Sequence, residues 1–250
     1  MYYFIYNRSS GQRYIAKKLE SRLKKLELIK EFHQTNKKDT VESLTRQGIE
    51  NQFTTIVVIG GDGAINHALQ VLAKTEVALG VIPIGRNNIF AKTLQLQSVS
   101  QAINTLLPRK TDLIDLGIAN DVYFSSYLKV GKPIQKQSFF KKIFSRSKKI
   151  IKASLILDNN LTLTGGFTEI TLSKISLPPN PKSIDKELTD GTLKILLADS
   201  KKGRTKLTAR SIELETDIPY ELYLDGEPRV KTPARIKICP KSLRIIKKTD

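Results

Sequence analysis

Three glycines and one carboxylate close the apolar run Thr54–Ile59: Gly60, Gly61, Asp62 and Gly63, ahead of the stretch AINHALQVLAK. Glycine at the carboxyl end of a strand permits unusual φ and lets backbone N–H groups approach an anion with no Cβ in the way. A helix starting there adds the positive end of its dipole. Phosphate suits such a turn. Asp62 would repel phosphate unless a divalent cation stood between them, so the pair makes sense as a magnesium-nucleotide site. From this stretch alone a plain strand-to-helix turn explains the glycines equally well. No G-x-x-x-x-G-K-[ST] run occurs in the chain, so a Walker-type loop is excluded.

The elements that would position this turn follow from periodicity. YYFIY (2–6) reads as a buried strand and NRSSG as the turn after it. The next stretch, 13–28, is helical, with Ile15, Leu19, Leu23 and Leu26 at helical spacing. A weak strand near 28–33 leads to a second helix with Asp39 as its expected N-cap. TTIVVIG is a strand, EVALGVIPIG another, and NNIFAKTLQL and VSQAINTLL are short helices. Strands separated by helices of this length predict a parallel sheet. Beyond about residue 112 helices become scarce and strand-like runs alternate with turns, LDNNLT among them as a hairpin connection. The expected fold is therefore α/β: a parallel-sheet nucleotide-binding domain over 1–117, then a mainly antiparallel β-sandwich domain over 118–250.

The chain has 250 residues, with 42 Lys and Arg against 24 Asp and Glu, a formal net charge of +18. A protein so basic is suited to polyanions: phosphorylated ligands, an anionic membrane surface or nucleic acid. No zinc spacing, RNA-recognition motif or helix-turn-helix signature supports a specific nucleic-acid partner. Cys239 is the single cysteine, which excludes an internal disulfide and points to a reducing, cytoplasmic compartment. MYYFIY is too short for a signal peptide. No apolar stretch approaches the roughly 18 residues of a spanning helix, so any membrane association is expected to be peripheral. The segment Lys129–Lys152 carries nine basic residues and no acid. Phe140, Ile143, Phe144 and Ile151 share one helical face in it, which fits lying on an anionic bilayer or packing on the second domain.

Six short motifs occur in one order along the chain: NRSSG, VVIGGDGAIN, GVIPIGRNNIFAKTL, IDLGIAND-VYF, TDGTLKILLAD and YLDGEP. Together they resemble the diacylglycerol kinase catalytic-domain family, which includes bacterial lipid kinases and sphingosine kinases. The resemblance implies ATP and magnesium as cofactors and a membrane lipid, diacylglycerol or a relative, as acceptor. It implies a nucleotide loop of Gly60, Gly61, Asp62, Gly63, Ala64, Ile65 and Asn66, with Asn7, Ser10 and Gly11 nearby and Thr35 as a further contact. Asp115 falls where the family keeps a carboxylate in a magnesium–water network, to which Asp62 also belongs. Asp190 matches a bacterial branch whose turn holds a structural magnesium, partly through carbonyls at the positions of Glu187 and Thr192. Glu227 falls at the general base, with Asp225 beside it, although Asp-Gly by itself marks a β-hairpin turn. NAD kinases share the G-G-D-G turn and are the nearest alternative, and a noncatalytic nucleotide-binding, membrane-associated relative is another. Self-association into a homodimer stays open.

The sequence departs from that family at the glycine turn and the loop after it. Ala64 stands where threonine is usual and His67 where glutamate is usual. The second loop normally reads G-T-x-N-D-F-A, whereas this chain has Gly85, Arg86, Asn87, Asn88, Ile89, Phe90 and Ala91. A hydroxyl and a carboxylate are thus missing there, and Arg86 is expected to supply a cation to phosphate directly. His67 and His33 are read as ordinary polar residues and not as ligands.

Overall fold

Tyr3, Phe4, Ile5 and Tyr6 are all fully buried, although strict alternation would turn every second one to solvent. A strand covered on both faces is what a central position in a parallel sheet requires. In the computed structural model, which describes residues 1–10, 13–28, 31–133, 150–176, 183–199 and 203–248, these residues form β1 (Tyr2–Tyr6). There follow α1 (Arg13–Lys25), β2 (Glu31–Gln34), α2 (Val41–Glu50), β3 (Thr55–Gly60), α3 (Asp62–Leu72), β4 (Ala78–Pro83), α4 (Ile89–Thr93) and α5 (Val99–Leu106). The parallel order is β2-β1-β3-β4, with Tyr6 opposite both Gln34 and Ile59, and Gly60 opposite Pro83. All four carboxyl ends therefore lie on one side of this sheet.

The helices depart from expectation in detail. On α1 the buried stripe is Ala16, Leu19 and Leu23, whereas Ile15 and Leu26 are exposed. Leu26 lies past the helix end, and Ile15 sits off the stripe. The N-cap of α2 is Thr40, whose hydroxyl accepts from Ser43 N–H, and not Asp39. Asp39 accepts instead from the side-chain amide of Asn36.

From β5 (Thr111–Ala119) onward the strands are β6 (Val122–Phe124), β7 (Tyr127–Pro133), β8 (Ile151–Leu157), β9 (Leu161–Ser173), β10 (Leu193–Asp199), β11 (Arg204–Ala209), β12 (Ser211–Thr216), β13 (Tyr220–Leu224), β14 (Glu227–Lys231) and β15 (Ala234–Ile246), with α6 (Ile184–Glu187) before β10. The chain divides into two units. The first comprises Met1–Asp115, Pro179–Thr189 and Pro240–Asp250, and the second Leu116–Pro178 and Asp190–Cys239. The boundary thus falls two residues before the expected one. The first unit also takes back two segments that the sequence assigned wholesale to the second. Ile245, at the end of β15, pairs in parallel with Leu79 of β4, which is why the C-terminus returns.

The second unit is antiparallel, as the turn-separated runs predict. Its long strand β9 pairs with β8 along its first half, and with β10 and β7 along its second. Leu155, Leu172, Leu193, Leu214, Leu222 and Leu224 belong to its buried core. The 134–149 part of the basic segment lies outside the described residues.

One carboxylate fixes the β13–β14 hairpin. Leu224 and Glu227 pair across the two-residue turn Asp225-Gly226, both in the left-handed region that a tight Asp-Gly hairpin needs. Buried Asp225 accepts from Ser125 N–H at 2.7 Å and the Ser125 hydroxyl at 3.1 Å through Oδ2. Its Oδ1 accepts from Ser126 N–H at 2.9 Å and Tyr127 N–H at 3.0 Å. Three backbone donors depend on this one side chain. Asp225→Ala is therefore expected to destabilise the protein by about 3 kcal/mol or more in urea unfolding. Asp225→Asn, which keeps one acceptor oxygen, should cost less.

Candidate functional site

In an open α/β sheet ligands settle outside the carboxyl ends of the strands, where the strand order reverses. Here the chain goes from β1 to β2 on one side and to β3 on the other, so the reversal lies between β1 and β3. Asn7 follows β1 and the glycine turn ends β3. Both sit at that point, joined by Asn7 N–H donating to Ile59 C=O at 2.9 Å. Thr35 comes in from the end of β2. Its hydroxyl donates to Asn7 Oδ1 at 3.3 Å and accepts from Arg8 N–H at 3.0 Å. Ser10 ends the 3-10 turn Arg8–Ser10, while Gly11 lies outside the described residues.

Gly61 is the N-cap of α3 and brings no side-chain acceptor. By contrast, Thr40 caps α2 and Ser98 caps α5 with their hydroxyls. The first-turn N–H groups of Asp62, Gly63 and Ala64 have no intrahelical acceptor, so the helix start offers open donors and a positive dipole end. Ala64, Ile65 and Asn66 are buried and act by packing. Asn66 Oδ1 accepts from the Gln70 amide at 3.3 Å. A hydroxyl at position 64 would have to share a buried space that Ala64 already fills.

The second loop is pressed onto the glycine turn. A Cβ placed on Gly85 would stand 2.5 Å from Gly61 Cα, and one on Gly61 would stand 3.1 Å from Gly85 Cα. Neither position accepts a larger residue without the loops parting. Asn88, with φ 50°, holds the loop by accepting from Gly85 N–H at 3.0 Å and donating to Gly85 C=O at 2.8 Å. Asp62 spans both loops: its Oδ1 accepts from Phe90 N–H at 2.9 Å at the start of α4. Its Oδ2 has no partner among the described residues. Arg86 is exposed on the same loop, and it too lacks a partner among the described residues.

The remaining candidates are dispersed. Asp115 is buried and accepts from Lys241 N–H at 3.0 Å. Glu187, in the first unit, accepts from the Ser183 hydroxyl at 2.6 Å. Asp190, in the second unit, accepts from Lys174 Nζ at 3.0 Å and Thr192 N–H at 2.9 Å. Burial raises its pKa, but these donors outweigh burial and leave it below the usual carboxylate range. Glu227 is partly exposed and forms an ion pair with Arg229, at 2.8 Å from Nη2. Asp225 is committed to the backbone of residues 125–127 as described above, which makes it a positioning residue for the hairpin that carries Glu227. His67 pairs with Glu42 at 2.8 Å, linking α3 to α2, and His33 stacks on Tyr3 at 4.5 Å. No group of three or more His, Cys, Asp or Glu suited to a metal occurs among the described residues. Sequence reading missed Asn88 and Lys174. An asparagine three residues after a loop glycine was the available signal for the first.

Residues 1–119 match the family model described as diacylglycerol kinase catalytic domain. A Staphylococcus epidermidis protein provisionally named a lipid kinase is 26% identical over 94% of this chain and 90% of its own length. A Bacillus subtilis protein named diacylglycerol kinase is 32% identical over 48% of this chain and 42% of its own length. A crystal structure from Bacillus anthracis, provisionally described as a diacylglycerol kinase, shares the fold. Its TM-score is 0.77 at 19% identity, covering 99% of this chain and 97% of that one. Yeast NADH kinase has a related fold at a TM-score of 0.51 and 11% identity, covering 99% of this chain and 84% of that one. Residues 1–119, with the glycine turn and the loop pressed against it, are thus similar to the diacylglycerol kinase catalytic domain family.

Proposed function

We propose that this protein is a lipid kinase that transfers the γ-phosphoryl group of ATP, with magnesium, to a hydroxyl of diacylglycerol or a related lipid. The observation that carries the reading is the uncapped start of α3 at the reversal of strand order, with Gly85 in backbone contact and Arg86 beside it. Phosphoryl transfer depends on positioning and charge neutralisation more than on covalent help. The open N–H groups of Asp62, Gly63 and Ala64 suit phosphate oxygens, and Arg86 adds a cation where the family keeps a hydroxyl. Asp62 would hold magnesium through Oδ2, the single carboxylate oxygen that a substrate-held ion needs from protein. Bound there, the ion would neutralise charge on the transferring group.

Glu227 is the proposed acceptor of the lipid hydroxyl proton. Its carboxylate is paired with Arg229 at 2.8 Å, so it can reach a lipid hydroxyl only once that ion pair loosens. A noncatalytic nucleotide-binding role is the second reading, favoured by the same ion pair and by the missing carboxylate at Ile89. The basic segment 129–152 fits a peripheral site for anionic lipid, where the acceptor resides.

Transfer of label from radiolabelled ATP into a mixed lipid extract tests the function. Glu227→Gln should lower that transfer roughly 10²-fold or more while ATP binding persists. ATP binding without label transfer by the parent protein would establish the noncatalytic reading, and NADP formation would replace the lipid by NAD. Arg86→Ala should weaken ATP binding by about tenfold in calorimetry, the worth of a hydrogen bond to a charged group. Unchanged affinity would remove Arg86 from the site. Replacing Lys141, Lys142, Lys148 and Lys149 by Gln should abolish co-sedimentation with anionic vesicles, each charge being worth about 1 kcal/mol near the surface. Equal binding to neutral vesicles would refute the electrostatic contact.

A further inference from the structure

In the bacterial branch that the TDGTL turn resembles, a structural magnesium sits on the aspartate of the turn. The residues here do not fit a divalent ion. Lys174 follows β9, and its side chain is wholly withdrawn from solvent, at 0% exposure. Its Nζ lies 3.0 Å from Asp190 Oδ1, and the same oxygen accepts from Thr192 N–H at 2.9 Å. Lys194 Nζ approaches the other oxygen, Oδ2, at 3.6 Å. Lys194 also donates to the Lys174 carbonyl oxygen at 3.4 Å. Both carboxylate oxygens thus face an ammonium group.

Electrostatics decides between the two cations. Magnesium binds oxygen at about 2.0–2.1 Å and demands near-octahedral geometry. Set on Asp190, it would stand within a few ångströms of two positive charges, one of which has no path to water. A buried ammonium group is retained only when it is paired, and Asp190 is a carboxylate partner of Lys174. Dislodging Lys174 to admit a metal would take that buried ammonium group away from a carboxylate 3.0 Å from it.

We propose that the Lys174 ammonium group is the resident cation of the Asp190 turn, with Lys194 as its outer support, so that the second unit folds without a divalent ion there. The inference concerns the fold of that unit and stands apart from whether the chain transfers phosphoryl groups. Magnesium dependence of any catalysis would then belong to the nucleotide alone.

Thermal unfolding of the full chain, free of nucleotide and lipid, tests this. The midpoint should agree within about 1 °C between EDTA and millimolar magnesium chloride, because an ion that binds only the folded state would raise it. Lys174→Met, which keeps the length and loses the charge, should lower the midpoint by about 10 °C in both solutions. A parent midpoint raised by several degrees in magnesium over EDTA would overturn the proposal. Should Lys174→Met fail to fold, manganese counting by paramagnetic resonance on the parent protein and on Asp190→Asn decides. Equal manganese stoichiometry supports the ammonium group, and loss of one bound ion in Asp190→Asn refutes it.

Discussion

The glycine-turn end of the first unit rests on one close approach, between the backbones of Gly61 and Gly85. Any side chain at 85 would put its Cβ 2.5 Å from Gly61 Cα. This contact brings the loop after β4 against the turn after β3, and the rest of the site follows from it. Asn88 adopts a left-handed backbone so that its amide can hold Gly85 from both sides. Asp62 can then reach Phe90 N–H and tie the start of α4 to the start of α3. The family's departures in this chain read differently once that frame is seen. Ala64 and Ile65 are packing residues, and His67 joins α3 to α2 through Glu42. The backbone that shapes the site is kept where the side chains around it have changed.

Charge composition sets a second constraint. With 42 basic residues against 24 acidic ones, carboxylates are the scarce partner. Those of greatest functional interest have already found donors. Asp225 serves three backbone N–H groups, Asp190 two lysines, and Glu227 an arginine. A buried carboxylate with such partners holds structure first, because losing it leaves the donors without acceptors. Lys174 and Lys194 are such partners for Asp190. The same scarcity makes Asp62 Oδ2 conspicuous as an acidic oxygen with no partner among the described residues.

Much of this was legible in the residue order. The apolar runs 2–6, 54–60 and 78–83 gave the parallel strands, since a strand covered on both faces must be continuously apolar. Asp225-Gly226 announced its hairpin because few residues tolerate left-handed backbone, whereas Gly61 has ordinary extended backbone and is required by its contact with Gly85. Ordered motifs identified the family where each alone was too short. Less legible were the α1 stripe, the Thr40 cap and the return of residues 240–250 to the first unit. Each depends on which neighbour a segment meets, and local periodicity carries no record of that.

The sequence by itself determined the element types, the position of the glycine turn and the excess of positive charge, because these depend on local backbone freedom and on composition. Tertiary structure alone decided which polar groups are spent and which remain open. Asp190 and Asp62 look alike in the sequence, each an acid beside a glycine. Folding buries the ammonium group of Lys174 against one, while it sets the other between two loops with an oxygen to spare. The difference is made by partners 16 and 28 positions away, and burial turns one of those contacts into a structural ion pair while the other leaves a carboxylate oxygen open.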